Sequence, residues 1–477
     1  MGRLKRLLGK GRTTTTKLTI LWHDTQAGIL ASDGLALAER RTGRDTEWRL
    51  ERLVPADDAI SPCGTPDAVL ARAGDPSAFF PSLPDELVAV AGFEGRIRSL
   101  ATPRAVASLL EGTLRAAVGM RLVCRLSLAG EADAVRALAL ELASEVRLTV
   151  PAASLAAEAQ MTAGRKIAPR RLGAPNLPPG LSVGDAFAFL CAHFADVIHH
   201  FAPLAALAIS TEPVHQMRVA ARRMNSATGL FRRAVNCPEL HEVRAGLKEL
   251  GGFLGPARDW DVFVTGTAHA VQREAADAPG LSRLVAAAGR RQAAAYTALC
   301  AYFESASYRR LGIAMAALAA APPWQNARPA DTDGDDANRQ VEALSAPLQE
   351  FAAAALNRRL RKLLQPGADI ASLPAEQLHA IRLHAKRLRY AAELFAPLYS
   401  RRETNRFLRR ISDLQERLGL LNDAAVAAGL VAELSSAGGR GFAGGVICGF
   451  VAARAKRGRG KIDRIWHRLR RLDPFWG

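Results

Sequence analysis

The sequence has few aromatic residues, few cysteines and no long apolar segment. Aromatic residues make up 6% of the 477 residues, and the 6 cysteines are scattered without a CxxC pair. Scattered cysteines indicate thiols in a reducing compartment and give no sign of a zinc site. The longest apolar run, residues 446–453, is too short to span a bilayer, and the basic N-terminus lacks the apolar stretch of a secretory signal. We therefore expect a cytoplasmic protein without a membrane span.

Acidic residues are scarce relative to basic ones. The chain has 64 Lys and Arg against 46 Asp and Glu, which gives a formal net charge of +18. Residues 1–180 hold 24 basic and 19 acidic residues, and residues 181–477 hold the other 40 and 27. This excess favours a polyanionic partner, such as nucleic acid, an anionic membrane surface or an inorganic polyanion.

Motifs of catalysis and of cofactor binding are missing as well. No Ser/His/Asp arrangement and no paired carboxylates emerge, and the Gly-rich stretch 438–449 lacks the preceding strand and the GKS/T of a P-loop. Glycines in that stretch are better explained by close helix packing. We expect no enzymatic activity, no cofactor and no bound metal.

The chain shows a β-rich sequence pattern followed by a helical one, and together they predict an α+β multidomain protein. Short β-rich segments between turn residues fill the N-terminal part, whereas the pattern from Leu181 onward is helical throughout. Similar numbers of predicted helices on each side of a Pro- and Asp-rich segment favour two antiparallel bundles related by a pseudo-two-fold axis. The predicted boundaries are 1–16 for a flexible basic arm, 17–163 for the β-rich domain, 164–180 for a linker, and 181–477 for the helical domain, divided into a first bundle (181–321), a mobile linker (322–338) and a second bundle (339–477).

One stretch of the helical part, residues 215–223, recurs at residues 379–387. An offset of 164 residues aligns the two without a gap for nearly fifty residues, and it also aligns the Leu-Gly pair at 254 with that at 418 and Asp259 with Asp423. Such a repeat indicates an internal duplication. Because both Asp residues follow a Leu-Gly pair, we expect each to begin a helix as its N-cap.

Helical geometry collects the cations of each repeat on one side. Successive residues turn by about 100° around a helix axis, so positions 0, 3 and 7 lie within roughly 60° of one another. Like charges at this spacing repel one another and favour a bound anion. The predicted stripes consist of His215, Arg218 and Arg222 in the first repeat, and of His379, Arg382, Lys386 and Arg389 in the second. Arg223 and Arg387 match between the repeats but point about 80° or more away.

Plainer interpretations remain for several of these residues. One interpretation of the two histidines is that they are buried, hydrogen-bonded structural residues, and neighbouring cations disfavour a bound metal. Arg358, Arg359, Arg361 and Lys362 are expected to form a solvated basic face. Where a histidine does contact phosphate, the bound anion favours its protonated form, so binding strengthens as the pH falls.

The repeated His-x2-Arg-x3-basic-basic motifs resemble the CHAD family, named for its conserved histidine α-helical domain. The Leu-Gly plus Asp segments, Arg389-Tyr390 and the terminal Trp466 and Pro474-Phe475-Trp476 support this resemblance over residues 181–477. It implies two helical bundles around a basic cavity that binds inorganic polyphosphate. The residues implied to bind it are His215, Arg218, Arg222, Arg223, His379, Arg382, Lys386, Arg387 and Arg389. Asn225 stands where the second repeat has Arg389, so we expect the first half of the cavity to be the weaker one.

The N-terminal part resembles the CYTH (triphosphate-tunnel) domain that often precedes CHAD, through residues 22–25, 34–37 and 48–50. Catalytic members carry a Glu-x-Glu-x-Lys strand and further carboxylates that hold divalent metal. Here the corresponding strands read Thr-Thr-Lys-Leu-Thr-Ile at 15–20 and Arg-Leu-Val-Cys-Arg-Leu-Ser-Leu at 121–128. Because Mg²⁺ needs oxygen ligands, we expect a degenerate, non-hydrolytic domain with at most an auxiliary anion site.

We therefore expect a non-enzymatic protein that binds inorganic polyphosphate and is directed to polyphosphate granules, together with granule-associated proteins. One alternative is a nucleic-acid-binding module, against which the lack of aromatics beside the basic stripes argues mildly. The other is a triphosphate or polyphosphate hydrolase that uses the N-terminal domain.

Overall fold

The computed structural model describes residues 6–7, 11–53, 68–79, 87–103, 105–167, 172–326, 334–367, 369–370, 372–437, 439, 441–459 and 462–477. Within it the chain divides into two compact units, and the contacts assign Met1–Gly173 with Arg309–Pro322 to the first and Ala174–Tyr308 with Pro323–Gly477 to the second. Segment 309–322 therefore groups with the N-terminal unit, although the sequence predicted it to be the end of the first helical bundle.

The first unit is built on a seven-stranded antiparallel sheet of order β4-β3-β2-β1-β5-β6-β7. In β1, residues 18, 20 and 22 are buried and alternate with more exposed positions, as expected for a strand with one covered face. The strands are β1 (Arg12–Thr25), β2 (Leu35–Thr42), β3 (Asp45–Arg52), β4 (Ala68–Ala73), β5 (Leu87–Ala101), β6 (Ala105–Ala116) and β7 (Gly119–Gly130).

Three helices accompany the sheet: α1 (Ile29–Ser32), α2 (Ala132–Glu145) and α3 (Leu155–Thr162). Leu155 and its neighbours on α3 pack with Leu18, Ile20 and Trp22 in one apolar core. Trp22 is fully buried, and its indole Nε1 donates to Glu51 at 3.3 Å. The carboxylate of buried Asp24 accepts from the backbone N–H groups of Leu30 and Ala31 at 2.9 and 3.1 Å, which caps the short helix α1.

The predicted boundary of the N-terminal arm at residue 16 is wrong. Residues 12–16 belong to β1, because the run of β-branched threonines pairs with β5 as far as Arg12 opposite Ala101. Residues 1–5 and 8–10 of the predicted arm lie outside the described residues. The described residues of the predicted linker 164–180 contain no helix and no strand, and their role as a linker stays a prediction.

The second unit is helical. Its central helix, α4 (Val183–Ala206), buries most of its surface, and the Ser182 hydroxyl caps it by accepting from the N–H of Asp185. The further helices, in chain order, are α5 (Glu212–Phe231), α6 (Pro238–Asp261), a π-helical segment (Val262–Ala268), α7 (His269–Glu274), α8 (Leu281–Phe303), α9 (Ala306–Ala320), α10 (Pro323–Asn326), α11 (Gly334–Ser345), α12 (Leu348–Leu364), α13 (Ala375–Phe395), α14 (Arg401–Glu433), α15 (Phe442–Arg459) and α16 (Ile462–Arg470). Of these, α9 falls mostly in segment 309–322, which groups with the first unit.

An aromatic cluster joins the helices that carry the two repeats. The ring of Phe231 at the end of α5 lies 4.9 Å from that of Phe187 on α4 and 4.8 Å from that of Phe351 on α12. Phe395 at the end of α13, which aligns with Phe231 in the repeat, lies 6.3 Å from it. Burial of these rings brings the C-terminal ends of α5 and α13 together.

The Leu-Gly pairs do not end helices, contrary to the prediction. Helix α6 runs through Gly255 to Asp261, and α14 runs from Arg401 to Glu433 through Gly419. Asp259 and Asp423 therefore lie inside helices and are not N-caps. The predicted mobile linker 322–338 is also partly helical, since α10 and the start of α11 fall within it, while residues 327–333 lie outside the described residues.

Among the described residues, one helix, Val183–Ala206, is long and apolar enough to cross a membrane. About 67% of its most apolar window is buried inside the protein, as in the core helix of a globular bundle.

Candidate functional site

The candidate site lies along α5 and α13, the two helices that carry the repeated motif. Each helix buries an apolar stripe: Met217, Ala220 and Met224 on α5, and Ile381, Ala385 and Leu388 on α13. The cations beside these stripes are only partly exposed, since Arg218, Arg222, Arg382 and Lys386 are all half-buried. Amphipathic periodicity thus fixes which side of each helix carries the cations.

Cations from both repeats gather in one place, which we call the central basic cluster. Burial, together with the positive charges of Arg222, Arg382 and Arg218, lowers the pKa of the Lys386 ammonium to about 8. Repeat one therefore places Arg218 and Arg222 close to Arg382 and Lys386 of repeat two. The cluster consists of His215, Arg218, Arg222, Arg258, Arg382 and Lys386.

Arg222 is the most constrained member of this cluster. Burial lowers the pKa of its guanidinium, as do Arg218, Arg223 and Arg258, and its buried Nε has no hydrogen-bond partner in the described structure. A buried donor without a partner is costly unless a ligand supplies the acceptor. Tyr390 of α13 contacts a cation from each repeat: the Arg222 Cζ and the Lys386 Nζ each lie 5.8 Å from its ring centroid. Its ring face stabilises the two cations through cation–π contact.

The two predicted histidines differ in their surroundings. His215 is half-buried, and burial lowers the pKa of its imidazole, with further lowering by Arg258, Arg222 and Arg218 and an opposing effect of Glu212. His379 is exposed in the first turns of α13. Although both repeats contain the histidine, the cations of the central basic cluster surround only His215 of the two.

Arg258, in the last turn of α6, is a member of the cluster that the sequence reasoning missed. Its charge acts on both His215 and Arg222. It also lies near Asp261, which is fully buried and accepts from Gln292 at 2.7 Å and from the Tyr296 hydroxyl at 3.1 Å. Arg258 could have been found from its position directly before the repeated Asp259. The aligned residue of the second repeat is Asn422, so a comparison of the two repeats does not single out Arg258.

Two carboxylates lie among these cations. A terminal nitrogen of Arg218 lies 3.5 Å from Asp259. Burial raises the pKa of the Asp423 carboxyl, Arg382 lowers it, and nearby Asp259 raises it. Gly255 leaves room for this arrangement, since a methyl group there would come within 3.3 Å of the Arg218 terminal nitrogen. The repeated Gly and Asp thus serve the first-repeat cation stripe and do not start a helix.

Arg223 and Arg389 share a carboxylate outside the central basic cluster. Arg223 donates to Glu393 at 2.9 Å, and Arg389 donates to the other oxygen of Glu393 at 2.6 Å and to Gln415 at 3.0 Å. This arrangement ties α5 to α13 and offsets part of both charges. Arg389 is thus paired with an acid four residues further on the same helix, and its role as a polyphosphate ligand stays a prediction.

Arg387 lies on another side of α13. Its charge acts on Arg359 of α12 and on His384, and not on the members of the central basic cluster whose pKa values shift. The structure therefore separates Arg387 from the other predicted ligands, in line with its angle on the helical wheel.

The sheet of the first unit has its own basic face. In register, Lys17 lies opposite Arg96, and Arg96 lies opposite Glu111. Glu111 forms ion pairs with Arg96 and with Arg98. An open groove of about 730 Å³ is lined by Lys17, Arg96 and Glu111 among others. In the described part of the chain no three His, Cys, Asp or Glu side chains meet as a metal site; the absence of a bound metal stays a prediction.

Comparison with known proteins settles the family of the helical part. The family model described as "CHAD domain" matches residues 188–432, which is more than half of the chain. The chain belongs to the CHAD family. The crystal structure of the CHAD domain from the plant Ricinus communis is 27% identical, with a TM-score of 0.52 over 64% of this chain and 98% of that one.

The CHAD assignment confirms the predicted family for the C-terminal part. A second solved structure, PptA from Streptomyces chartreusis, is 18% identical with a TM-score of 0.44, over 60% of this chain and 99% of that one. That likeness is too low to support an argument. No curated protein matches the chain. The CYTH resemblance of the N-terminal sheet stays a prediction.

Proposed function

We propose that this CHAD protein binds inorganic polyphosphate at the central basic cluster. The observation that carries the proposal is the crowding of half-buried cations from both repeats around Lys386 and Arg222. Arg218, Arg222, Arg258, Arg382 and Lys386 supply five permanent or near-permanent cations against the two carboxylates of Asp259 and Asp423. This surplus destabilises the ligand-free protein, and an anion relieves it.

The chemistry of the cluster suits phosphate. Guanidinium groups donate two parallel hydrogen bonds to phosphate oxygens, and the buried Nε of Arg222 is a donor that lacks an acceptor. A linear phosphate chain offers closely spaced acceptors to cations that come from two helices. We propose that the two repeats arose by duplication and act as paired halves of one site.

Nucleic acid fits the same surface less well. Base stacking needs an open aromatic face, and the aromatic ring at the cluster, that of Tyr390, is already in contact with Arg222 and Lys386.

We further propose that binding is not coupled to hydrolysis, and that the N-terminal sheet is a degenerate CYTH-like domain. Pairing of Glu111 with Arg96 and Arg98 supports this, since it makes the carboxylate less available to a divalent metal.

The cellular role that follows is attachment to polyphosphate granules in the cytoplasm, beside other granule-associated proteins. A fluorescent fusion of the full chain tests it: the wild type should collect on granules, and a variant with a reversed central cluster should not. A fusion that stays diffuse in cells with visible granules contradicts the proposed location.

Titration with long-chain polyphosphate tests the binding itself. The variant Arg218→Glu/Arg382→Glu/Lys386→Glu should lose affinity by about 100-fold or more, because three charge-assisted contacts become repulsive. Its matched control is Arg401→Glu/Arg402→Glu/Arg406→Glu, which changes net charge equally at three exposed positions of α14. Affinity should also fall steeply with salt, because binding releases counterions. Equal losses in both variants would mean that total charge, and not this cluster, holds the polymer.

A further inference from the structure

A second group of cations lies on α12 and α13, outside the central basic cluster. Arg358, Arg359 and Lys362 lie on the last turns of α12, and His384 and Arg387 lie on the middle of α13, which packs beside it. At i, i+1 and i+4 on α12 and at i and i+3 on α13, these residues share one side of each helix. With Arg233, just past the end of α5, they form what we call the outer basic cluster.

These side chains surround one another with positive charge. Burial, together with the positive charges of Arg387 and Arg358, lowers the pKa of the Arg359 guanidinium to about 10. Burial also lowers the pKa of the His384 imidazole, and the positive charges of Arg387, Lys362 and Arg359 act in the same direction. Burial lowers the pKa of the Arg358 guanidinium as well, together with the positive charges of Arg233 and Arg361.

Carboxylates do not offset this charge. Within the described residues, no acid forms an ion pair with Arg358, Arg359, Lys362 or Arg387, whereas elsewhere in this unit Arg218, Arg223 and Arg389 each contact one. Of the face predicted to be solvated, Arg361 and Lys362 are exposed, whereas Arg358 and Arg359 are half-buried, as is His384. A half-buried guanidinium without a counterion is destabilising, and a bound anion removes that cost.

The two clusters face different directions. Around α13, His384 and Arg387 lie about 100–160° from Arg382 and Lys386 at about 100° per residue. The charges that act on Lys386 are those of Arg222, Arg382 and Arg218, all from the central basic cluster. One anionic group therefore cannot satisfy both clusters at once.

We propose that the outer basic cluster is a second phosphate-binding site, which holds another segment of an inorganic phosphate chain. The identity of the chain rests on the proposed function, whereas the presence of an anion site rests on the cluster itself. The forks of Arg359 and Arg387 bind phosphate oxygens in pairs, and Lys362 and His384 add single donors.

Two sites on opposite sides of α13 give long chains an advantage. A polymer bound at the central basic cluster presents its remaining phosphates to the outer one at high effective concentration. Short chains fill the two sites independently. The affinity then increases with the length of the phosphate chain, although neither site contacts the end of the chain.

Calorimetric titration with tripolyphosphate, which is short enough to count sites separately, tests the proposal on the full chain. The wild type should bind two molecules per chain. Arg359→Gln/Arg387→Gln should lose one of them, through an affinity loss of about tenfold or more at that site. Arg218→Gln/Lys386→Gln should lose the other. Arg401→Gln/Arg402→Gln removes the same charge at exposed positions of α14 and should keep both.

Each result has a definite meaning. One tripolyphosphate per wild-type chain, unchanged in Arg359→Gln/Arg387→Gln, overturns the second site and leaves the proposed function standing. Loss at the outer basic cluster with no loss in Arg218→Gln/Lys386→Gln instead overturns the proposed function. An oligonucleotide that binds the outer basic cluster more tightly than polyphosphate of equal charge overturns the choice of ligand. If removal of half-buried Arg359 unfolds the protein, Lys362→Gln/Arg387→Gln changes exposed residues and carries the same test.

Discussion

Polyphosphate binding should weaken as Lys386 loses its proton. In the free protein the pKa of Lys386 is about 8, against an ordinary value of 10.5, because of burial and of the neighbouring arginines. Bound phosphates supply the negative charge that the cluster lacks, so they should restore the protonated form. Binding is then coupled to proton uptake at a pH where few other side chains titrate.

The size of this effect follows from the two pKa values. If bound phosphate restores the ordinary value, the affinity at about pH 9.5 is roughly one-thirtieth of that at about pH 7. Lys386 is not completely buried, so solvent screening reduces the expected change to the order of tenfold. Stability without ligand changes in the opposite direction. Between about pH 8 and pH 10.5 the folded state releases this proton before the unfolded state does, so the free energy of unfolding rises with pH.

Titrations with long-chain polyphosphate across this range measure the affinity, and long chains keep the contribution of titrating terminal phosphates small. Denaturant unfolding of the ligand-free protein measures the stability. Lys386→Arg is the matched control, because an arginine stays protonated throughout the range. The wild type should show both trends, and the variant should show neither. An affinity that is flat from about pH 7 to about pH 9.5, or that falls equally in the variant, refutes the reasoning.

Three further predictions concern the acids and the C-terminal core. Asp259→Asn/Asp423→Asn should tighten polyphosphate binding severalfold, because Arg218 and Arg382 lose competing carboxylates; weaker binding in this titration would contradict it. Glu393→Gln should lower the free energy of unfolding by about 1–3 kcal/mol in denaturant, since two cations lose a shared carboxylate. Trp466→Ala should cost about 3–5 kcal/mol in the same assay, because it empties a fully buried site and removes the bond to the Gly367 carbonyl.

The helical periodicity predicted the part of the site that depends on a single helix. It placed Arg218 and Arg222 on one side of α5, and it placed Arg382 and Lys386 together on α13. It also separated Arg387 from them by angle. These features follow from residue spacing alone, because a side chain's direction is fixed once the helix exists.

Features that depend on contacts between helices were beyond this reasoning. Glu393 reaches Arg223 of another helix, and no spacing rule connects two residues 170 positions apart. The Leu-Gly pair before Asp259 predicts a new helix at that residue, since glycine is costly inside helices. In the folded protein Gly255 gives space to Arg218, and packing of α6 outweighs the cost. Similarly, Thr13–Thr16 were assigned to an arm because their partner strand is about 85 residues away.

The two repeats are unequal at the site, but not in the way that their motifs indicate. Counting motif cations gives the second repeat one more, since Arg389 aligns with Asn225. The structure reverses this difference: Arg389 is held by Glu393 and Gln415, while Arg258 of the first repeat joins the central basic cluster and aligns with Asn422. A phosphate chain consists of identical units and needs no symmetry in its receptor. What it requires is summed positive charge within reach of successive phosphates, and the two halves supply that charge from positions that do not correspond.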